Sequence, residues 1–498
     1  MVKDSRQDTG RQRVGRQQAA QQPATIGGAG IQRRDFLRFT LAAGLSAPLV
    51  GGLAGCATGG GGTGSGAATV GGGAAKSDKN PFGIDAKATV DVVIFKGGYS
   101  DQYAKEGGAA YDKLWSGSGL AKVSSTTKIN TELQPRFVGG NPPDVIDNSG
   151  ADHMAFAGIQ SQVQPLDALL EAPAVGFDGM KVKDTLISGA TDPGTYDGKL
   201  LELNYFYTVY GLWYSAKLFT DNGWEPPKTW DDVMALGEKT KAKGVSLFVF
   251  GGQNAADYYH ELALSMAARK GGADVVKKLD NLDADGFAQP AVKEAFAAIE
   301  SAGKAGHFLP GGSGMIHTQA QTQFVQGKAA LYPCGSWLEN EMKDITPADF
   351  GMTCLQVPAL GAAVKLPKGF HGAAGEPFVV PKGKNPAGGM EYLRVMLGKE
   401  AASNTSKLVK AATIVKGTVP ADGFGSTALA SATKIQSDGE KEVYTWRYDA
   451  VYAMSKGQKT NWNTFLSGGM SSSDLLSTFQ SVSDKVRDDP SVKKFKVA

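Results

Sequence analysis

The chain has 498 residues, enough for two or three domains at about 150 residues each. With 42% hydrophobic and 20% charged residues it has the makeup of a globular protein, which excludes a wholly disordered chain. The net charge of +3 is uneven: eight Lys/Arg and three Asp place +5 in residues 1–55, so the remainder carries −2 and offers no basic footprint for nucleic acid.

Residues 1–34 are polar and basic, and an apolar run from Phe39 to Ala54 follows. That run is short for a bilayer and ends in small residues, the order of an export signal. Within it, Arg33-Arg34-Asp35-Phe36-Leu37-Arg38 resembles a twin-arginine signal, and Leu53-Ala54-Gly55-Cys56 resembles the lipobox of bacterial lipoproteins. The resemblance implies that residues 1–55 are cleaved and that Cys56 is diacylated. The protein would then be anchored to the outer face of a bacterial cytoplasmic membrane, each buried methylene contributing about 0.8 kcal/mol. Residues 57–75 are almost entirely Gly, Ala, Ser and Thr, so they read as a flexible tether. Residues 56–80 are therefore taken as lipidated cysteine plus tether.

The body alternates strand and helix signals. Val90–Phe95 is a β-branched run ended by Lys96-Gly97-Gly98, followed by helical pattern from Tyr103 to Leu114. Asp144–Asp147 is a second strand, ended by Asn148-Ser149-Gly150. Residues 198–219 form an aromatic-rich stretch suited to one long or broken strand. Thr229 and Asp232 form the capping box of a helix, and Val245–Phe250 is a strand closed by Gly251-Gly252. Further strands are expected at residues 329–333, 350–354 and 378–381, with a mostly helical tail beyond Val419. This alternation predicts an α/β fold with largely parallel sheets and ligands at the carboxyl ends of strands.

Catalytic signatures are missing. His260-Glu261-Leu262-Ala263-Leu264 lacks the second histidine of a zinc-protease helix, and Asn281–Gly286 lacks the closing glutamate of a calcium loop. There is no Gly-x-Ser-x-Gly elbow, no phosphate loop and no Cys-x-x-Cys pair, so no cofactor and no metal are expected. Aromatics and short polar side chains at strand ends remain, the composition of a sugar site. Trp337, after a strand and the Gly335-Ser336 turn, is the best-placed ring.

Several segments are similar to extracellular solute-binding proteins of ABC sugar importers, the large maltodextrin-binding-like class. They are Pro227–Asp232, Gly327–Leu331 and Gly335-Ser336-Trp337. Asp91–Gly98, Gln134–Asp152, Pro333–Lys343 and Ala374–Phe378 narrow the resemblance to the N-acetylglucosamine/diacetylchitobiose-binding lipoproteins. It implies a two-lobed periplasmic-binding-protein-like (type II) fold, with residues 81–206 plus 366–417 in lobe 1 and 207–365 plus 418–498 in lobe 2. Chain crossings are expected near Tyr205–Tyr207, Leu366-Pro367 and Gly417-Thr418. A monomer would bind an N-acetylated sugar by cleft closure and deliver it to membrane permease subunits, without chemistry. Another oligosaccharide (maltodextrin, cellodextrin, xylo-oligosaccharide) and an exported carbohydrate-active enzyme are the alternatives.

Strand ends and this family geometry together select the candidate residues. Gly97 and Gly98 would admit the sugar to the backbone, and Asn148 and Asp152 would take hydroxyls. Tyr207 would sit at a crossing, and Gln253 and Asn254 would line lobe 2. Trp337 would stack on a ring, Glu376 would accept hydroxyl or amide hydrogens, and Trp446 or Arg447 would close the tail side. Three cysteines cannot build a disulfide scaffold, but an exported compartment permits one bridge, Cys334–Cys354.

Overall fold

The computed structural model describes residues 73–496 apart from residues 151 and 453, so the expected leader, Cys56 and the expected tether up to residue 72 lie outside the described residues. Among the described residues, eleven strands run in chain order. They are β1 Val90–Phe95, β2 Ala121–Thr126, β3 Val145–Asp147, β4 Thr195–Tyr196, β5 Lys199–Leu200, β6 Leu203–Ser215, β7 Ser246–Phe248, β8 Ala329–Gly335, β9 Met352–Leu355, β10 Phe370–Val379 and β11 Val443–Tyr444. β4 and β5 form a separate pair, and the other nine make one sheet.

Local sequence explains most elements. In β1 the β-branched residues Val90, Val92, Val93 and Ile94 are buried, as a strand covered on both faces requires. Thr229 and Asp232 close the capping box of helix Trp230–Ala242, with reciprocal bonds of 3.2 and 2.9 Å. The aromatic stretch becomes β6, after which Ser215 caps helix Ala216–Asn222. β2 was not expected; it is a half-exposed edge strand of sequence AKVSST, with little apolar pattern to announce it.

The sheet is not largely parallel. β1 pairs parallel with β2 and β3, and β7 pairs parallel with β8. Between these groups, β10 is antiparallel to both β3 and β6, and β6 is antiparallel to β8 and β9. Two long strands therefore serve both halves of the sheet, and antiparallel pairing is what makes the halves face each other. β1 and β3 run opposite to β7 and β8, so their carboxyl ends converge. Asp147, at the end of β3, is level through Phe378 with Leu203, while Gly335, at the end of β8, pairs with Tyr210. At about 3.3 Å per residue the two sets of strand ends stand about 23 Å apart, with β6 and β10 flooring the gap.

Two large cores flank that floor. One packs Val92, Ile94, Tyr103 and Tyr392 around the first half, and the other packs Phe248, Leu264, Phe296 and Trp462 around the second. Among the described residues no helix is long and apolar enough to cross a membrane.

Candidate functional site

Strand parity decides what enters the gap. Alternate residues of β6 face opposite sides, so Phe206 and Tyr210 share one face and Tyr207 takes the other. Phe206 stacks on Tyr99, from the loop after β1, with ring centres 4.2 Å apart. Tyr210 meets Trp337 edge-on at 5.5 Å, and Tyr258, which opens helix Tyr258–Gly271, meets the same indole at 5.9 Å. The other side of Tyr210 lies flat on His371 at 4.4 Å, and His371 lies on Trp446 at 3.7 Å. Rings from both halves of the sheet thus converge on the floor strands.

Carboxyl groups flank these rings. Asp147 is buried at the end of β3, where the Tyr103 hydroxyl donates to its Oδ2 at 3.1 Å and the Ser149 hydroxyl donates to its Oδ1. Glu376 is brought near Asp147 by the β3–β10 pairing, in which the Asn148 N–H donates to the carbonyl of the adjoining Pro377 at 2.8 Å. It holds a left-handed φ of 59° between Gly375 and Pro377, a conformation that costs a non-glycine residue of order 1–3 kcal/mol and concentrates at functional sites. Burial raises the pKa of both carboxyls, and their mutual repulsion raises that of Asp147 further. Across the gap, Gln321 Nε2 donates to Glu341 Oε2 at 2.7 Å, and burial also raises Glu341. Tyr99 links the two sides: burial first, then the charges of Glu376 and Glu341, push its phenol up. Asn340 Nδ2 donates to the Gly98 carbonyl, a direct bond between the two walls.

The expected residues fare unevenly. Trp337 and Glu376 lie in this cluster, and Trp446 joins it through His371 but is itself buried. Gly98 reaches the opposite wall through Asn340, whereas the bare Cα of Gly97 makes room for the Phe95 ring, which an added Cβ would meet at 2.2 Å. Asn148 uses both ends of its amide on the Met154 backbone, at 3.0 and 2.9 Å, and so closes its own loop. Asp152 caps helix Ile129–Val138, accepting from the Thr131 N–H at 3.0 Å, which lowers its pKa. Tyr207 points away from the gap into a cavity of about 770 Å³ on the other side of the sheet, beside Phe370, Val415 and Val419. Gln253 is exposed, and Asn254 is engaged with His317, whose N–H donates to its Oδ1 at 2.7 Å. Arg447 donates to the Asp192 carbonyl at 3.0 Å and lies over the Phe495 ring at 4.9 Å.

The expected disulfide is corrected. Cys334 and Cys354 are separate buried thiols. Their strands pair with β6 at Gly211 and Trp213, on its two opposite edges, so two strand spacings of about 4.8 Å separate them, beyond the roughly 7 Å Cα limit for a bridge.

Tyr99, Phe206, Tyr210, Tyr258, Asp147 and Glu341 were missed from sequence. Tyr99 directly follows Gly97-Gly98, and Phe206 and Tyr210 share parity on β6, so those three had a signal. Tyr258, Asp147 and Glu341 had none until the strands were placed.

Two groups of converging strand ends, joined by floor strands and lined by rings and carboxyls from both sides, define a two-lobed α/β fold with a cleft between its halves. The chain belongs to the bacterial extracellular solute-binding protein family, matching its pattern over residues 121–403. It is 46% identical over 426 residues, covering 85% of this chain and 90% of the other, to the diacetylchitobiose binding protein NgcE of Streptomyces coelicolor. The fold is shared with a chitin oligosaccharide binding protein at TM-score 0.58 and 18% identity, over 77% of this chain and 93% of that one. It is shared also with a probable secreted solute-binding lipoprotein from Streptomyces coelicolor at TM-score 0.62 and 17% identity, over 80% and 99%. The fold is therefore of the two-lobed, type II kind.

Proposed function

We propose that this protein is the sugar receptor of an ABC importer and that it binds N-acetylglucosamine or diacetylchitobiose in the gap over β6 and β10. The observation that carries the reading is the set of rings contributed by both halves of the sheet, Tyr99 and Phe206 facing Tyr210, Trp337 and Tyr258, beside the polar groups of Glu376 and Glu341. Rings take the C–H faces of sugars, and carboxyl and amide groups take their hydroxyls. The 46% identity to a diacetylchitobiose binding protein supports the choice of sugar.

Lobe 1 would comprise residues 81–206 and the second half of β10 onward to 417; lobe 2 would hold the rest. The return crossing would fall at Ala374-Gly375, opposite Phe206 and Tyr207. Leu366-Pro367 is tied instead to Arg269 of the second half, whose Nη2 donates to the Pro367 carbonyl at 2.7 Å. Closure would be favoured only by contacts made to both lobes at once. The lipobox reading of Cys56 and the tether would keep a monomeric receptor beside its permease.

The test is calorimetric titration of the chain from Ala67 onward with N-acetylglucosamine, diacetylchitobiose, glucose, maltose and cellobiose, followed by sugar analysis. Tight binding of the N-acetylated pair, with the sugar recovered intact, is expected. Preference for another sugar would overturn the specificity, and cleavage would overturn the receptor reading. Radiolabelled palmitate incorporation that is lost in Cys56→Ala would support the anchor.

A further inference from the structure

We propose that Arg447 and the C-terminal segment 489–496 form a clasp between the two halves of the fold, and that this clasp slows release of the bound sugar. The inference rests on the sugar-receptor reading above and adds residues that hold the receptor shut from outside the ring cluster.

One end of the clasp belongs to the first half. β4 and β5 form a hairpin whose Asp197-Gly198 turn has left-handed φ at both residues, 49° and 76°, the two-residue turn that Asp-Gly favours. The hairpin is fixed to that half. The Tyr196 ring stacks on Phe156 at 4.5 Å, and Leu200 and Leu201 are buried in the cores that hold Val92 and Val93. The turn therefore presents the exposed Asp197 carboxylate from a defined place.

The other end belongs to the second half. Asp280 is buried, and its Oδ1 accepts from the backbone N–H groups of Arg447 at 2.7 Å and Tyr448 at 2.9 Å. Beyond helix Ser472–Asp488 the chain returns to the same place. There the Phe495 N–H donates to the Tyr452 hydroxyl at 3.0 Å, and the Phe495 ring stacks on Tyr452 with ring centres 5.4 Å apart. The Arg447 guanidinium lies over the Phe495 ring at 4.9 Å.

Two groups then reach across. Arg447 Nη1 donates to the Asp192 carbonyl at 3.0 Å, just before the hairpin, and Lys493 Nζ donates to both carboxylate oxygens of Asp197 at 2.8 and 3.1 Å. These partners are 255 and 296 residues apart, so neither tie is a product of local folding. The Lys493–Asp197 pair is exposed and weak by itself, whereas the Arg447 bond is charge-assisted and the Phe495 ring steadies the guanidinium. Arg447 directly follows Trp446, which lies on His371 and through it on Tyr210, so the clasp acts one residue from the ring cluster. None of the three crossing side chains is buried, so the clasp can open with a hinge motion while both cores stay intact.

The test measures release of diacetylchitobiose by stopped-flow fluorescence for the full chain, Arg447→Ala, Asp197→Lys, Lys493→Asp and the double exchange Asp197→Lys/Lys493→Asp. Arg447→Ala should speed release about tenfold or more, because a hydrogen bond from a charged donor is lost. Each single charge change should speed release roughly two- to fivefold, and less at about 1 M salt. The double exchange should restore the wild-type rate, which a merely structural role for either residue would not do. Wild-type release from Arg447→Ala, or a double exchange no slower than the single changes, would overturn the clasp. Proximity is read without sugar: a short bismaleimide should link Asp197→Cys to Lys493→Cys within one chain, located by peptide mapping, and absence of that link would also overturn the clasp. A chain that forms the link yet binds no sugar would keep the tie between the halves and overturn the sugar reading.

Discussion

A single methyl group at Gly335 tests the site without touching the ligand. Gly335 ends β8 without a positive φ, so alanine there is not strained by the backbone. Its Cβ, however, would lie 2.0 Å from the Trp337 ring, closer than real Cβ contacts come. The indole must therefore leave its place against Tyr210 and Tyr258, where it makes edge contacts at 5.5 and 5.9 Å. Each such contact is worth about 0.5–1.5 kcal/mol, so displacement should cost about 1–3 kcal/mol. That cost falls on folding; if the ring also stacks on the sugar, loss of that contact at about 0.5–1.5 kcal/mol should raise the dissociation constant by roughly 2- to 13-fold. Calorimetry on Gly335→Ala reads the affinity, and urea unfolding verifies that the variant folds. A Trp337→Ala background supplies the control: with the indole gone the 2.0 Å clash is removed, and the two effects should be non-additive. A folded Gly335→Ala protein with affinity within twofold of wild type would refute the placement of Trp337 at the ligand.

The two faces of β6 should separate in the same assay: Tyr207→Phe leaves sugar affinity unchanged, whereas Tyr210→Ala, which removes the ring between Trp337 and His371, lowers it at least tenfold. Glu391 and Arg394 form a buried bidentate pair at 2.6 and 2.7 Å, so Glu391→Gln should reduce unfolding free energy by about 3–5 kcal/mol in a denaturant titration while leaving any sugar bound by the folded fraction at wild-type affinity. With Cys56 replaced, a thiol reagent should find two reactive groups in the denatured chain and neither in the native one, since Cys334 and Cys354 are both buried; absence of thiols after unfolding would restore the bridge.

Local chemistry in the sequence was enough to place much of this protein. β1 is visible as an unbroken β-branched run, the Thr229–Asp232 capping box marks its helix, and Trp337 stands out after a strand and a glycine turn. Motif order also identified the class, because long segments such as Gln134–Asp152 resemble one family throughout. Side-chain partners could not be read the same way. Asn148 and Asp152 look like ligand groups in sequence, yet each satisfies backbone groups close by, at Met154 and at Thr131. Tyr207 and Phe206 are equally aromatic neighbours, and only the placement of β6 in the sheet decides which one faces the gap. Only the β3–β10 pairing sets Asp147 level with Phe378, far along the chain, and so brings Glu376 near it. Sequence thus determines which segments can form strands, helices and caps, since those depend on neighbours within a few residues. Strand order and direction, set by how the whole chain buries its apolar surface, decide which polar groups remain free for a ligand.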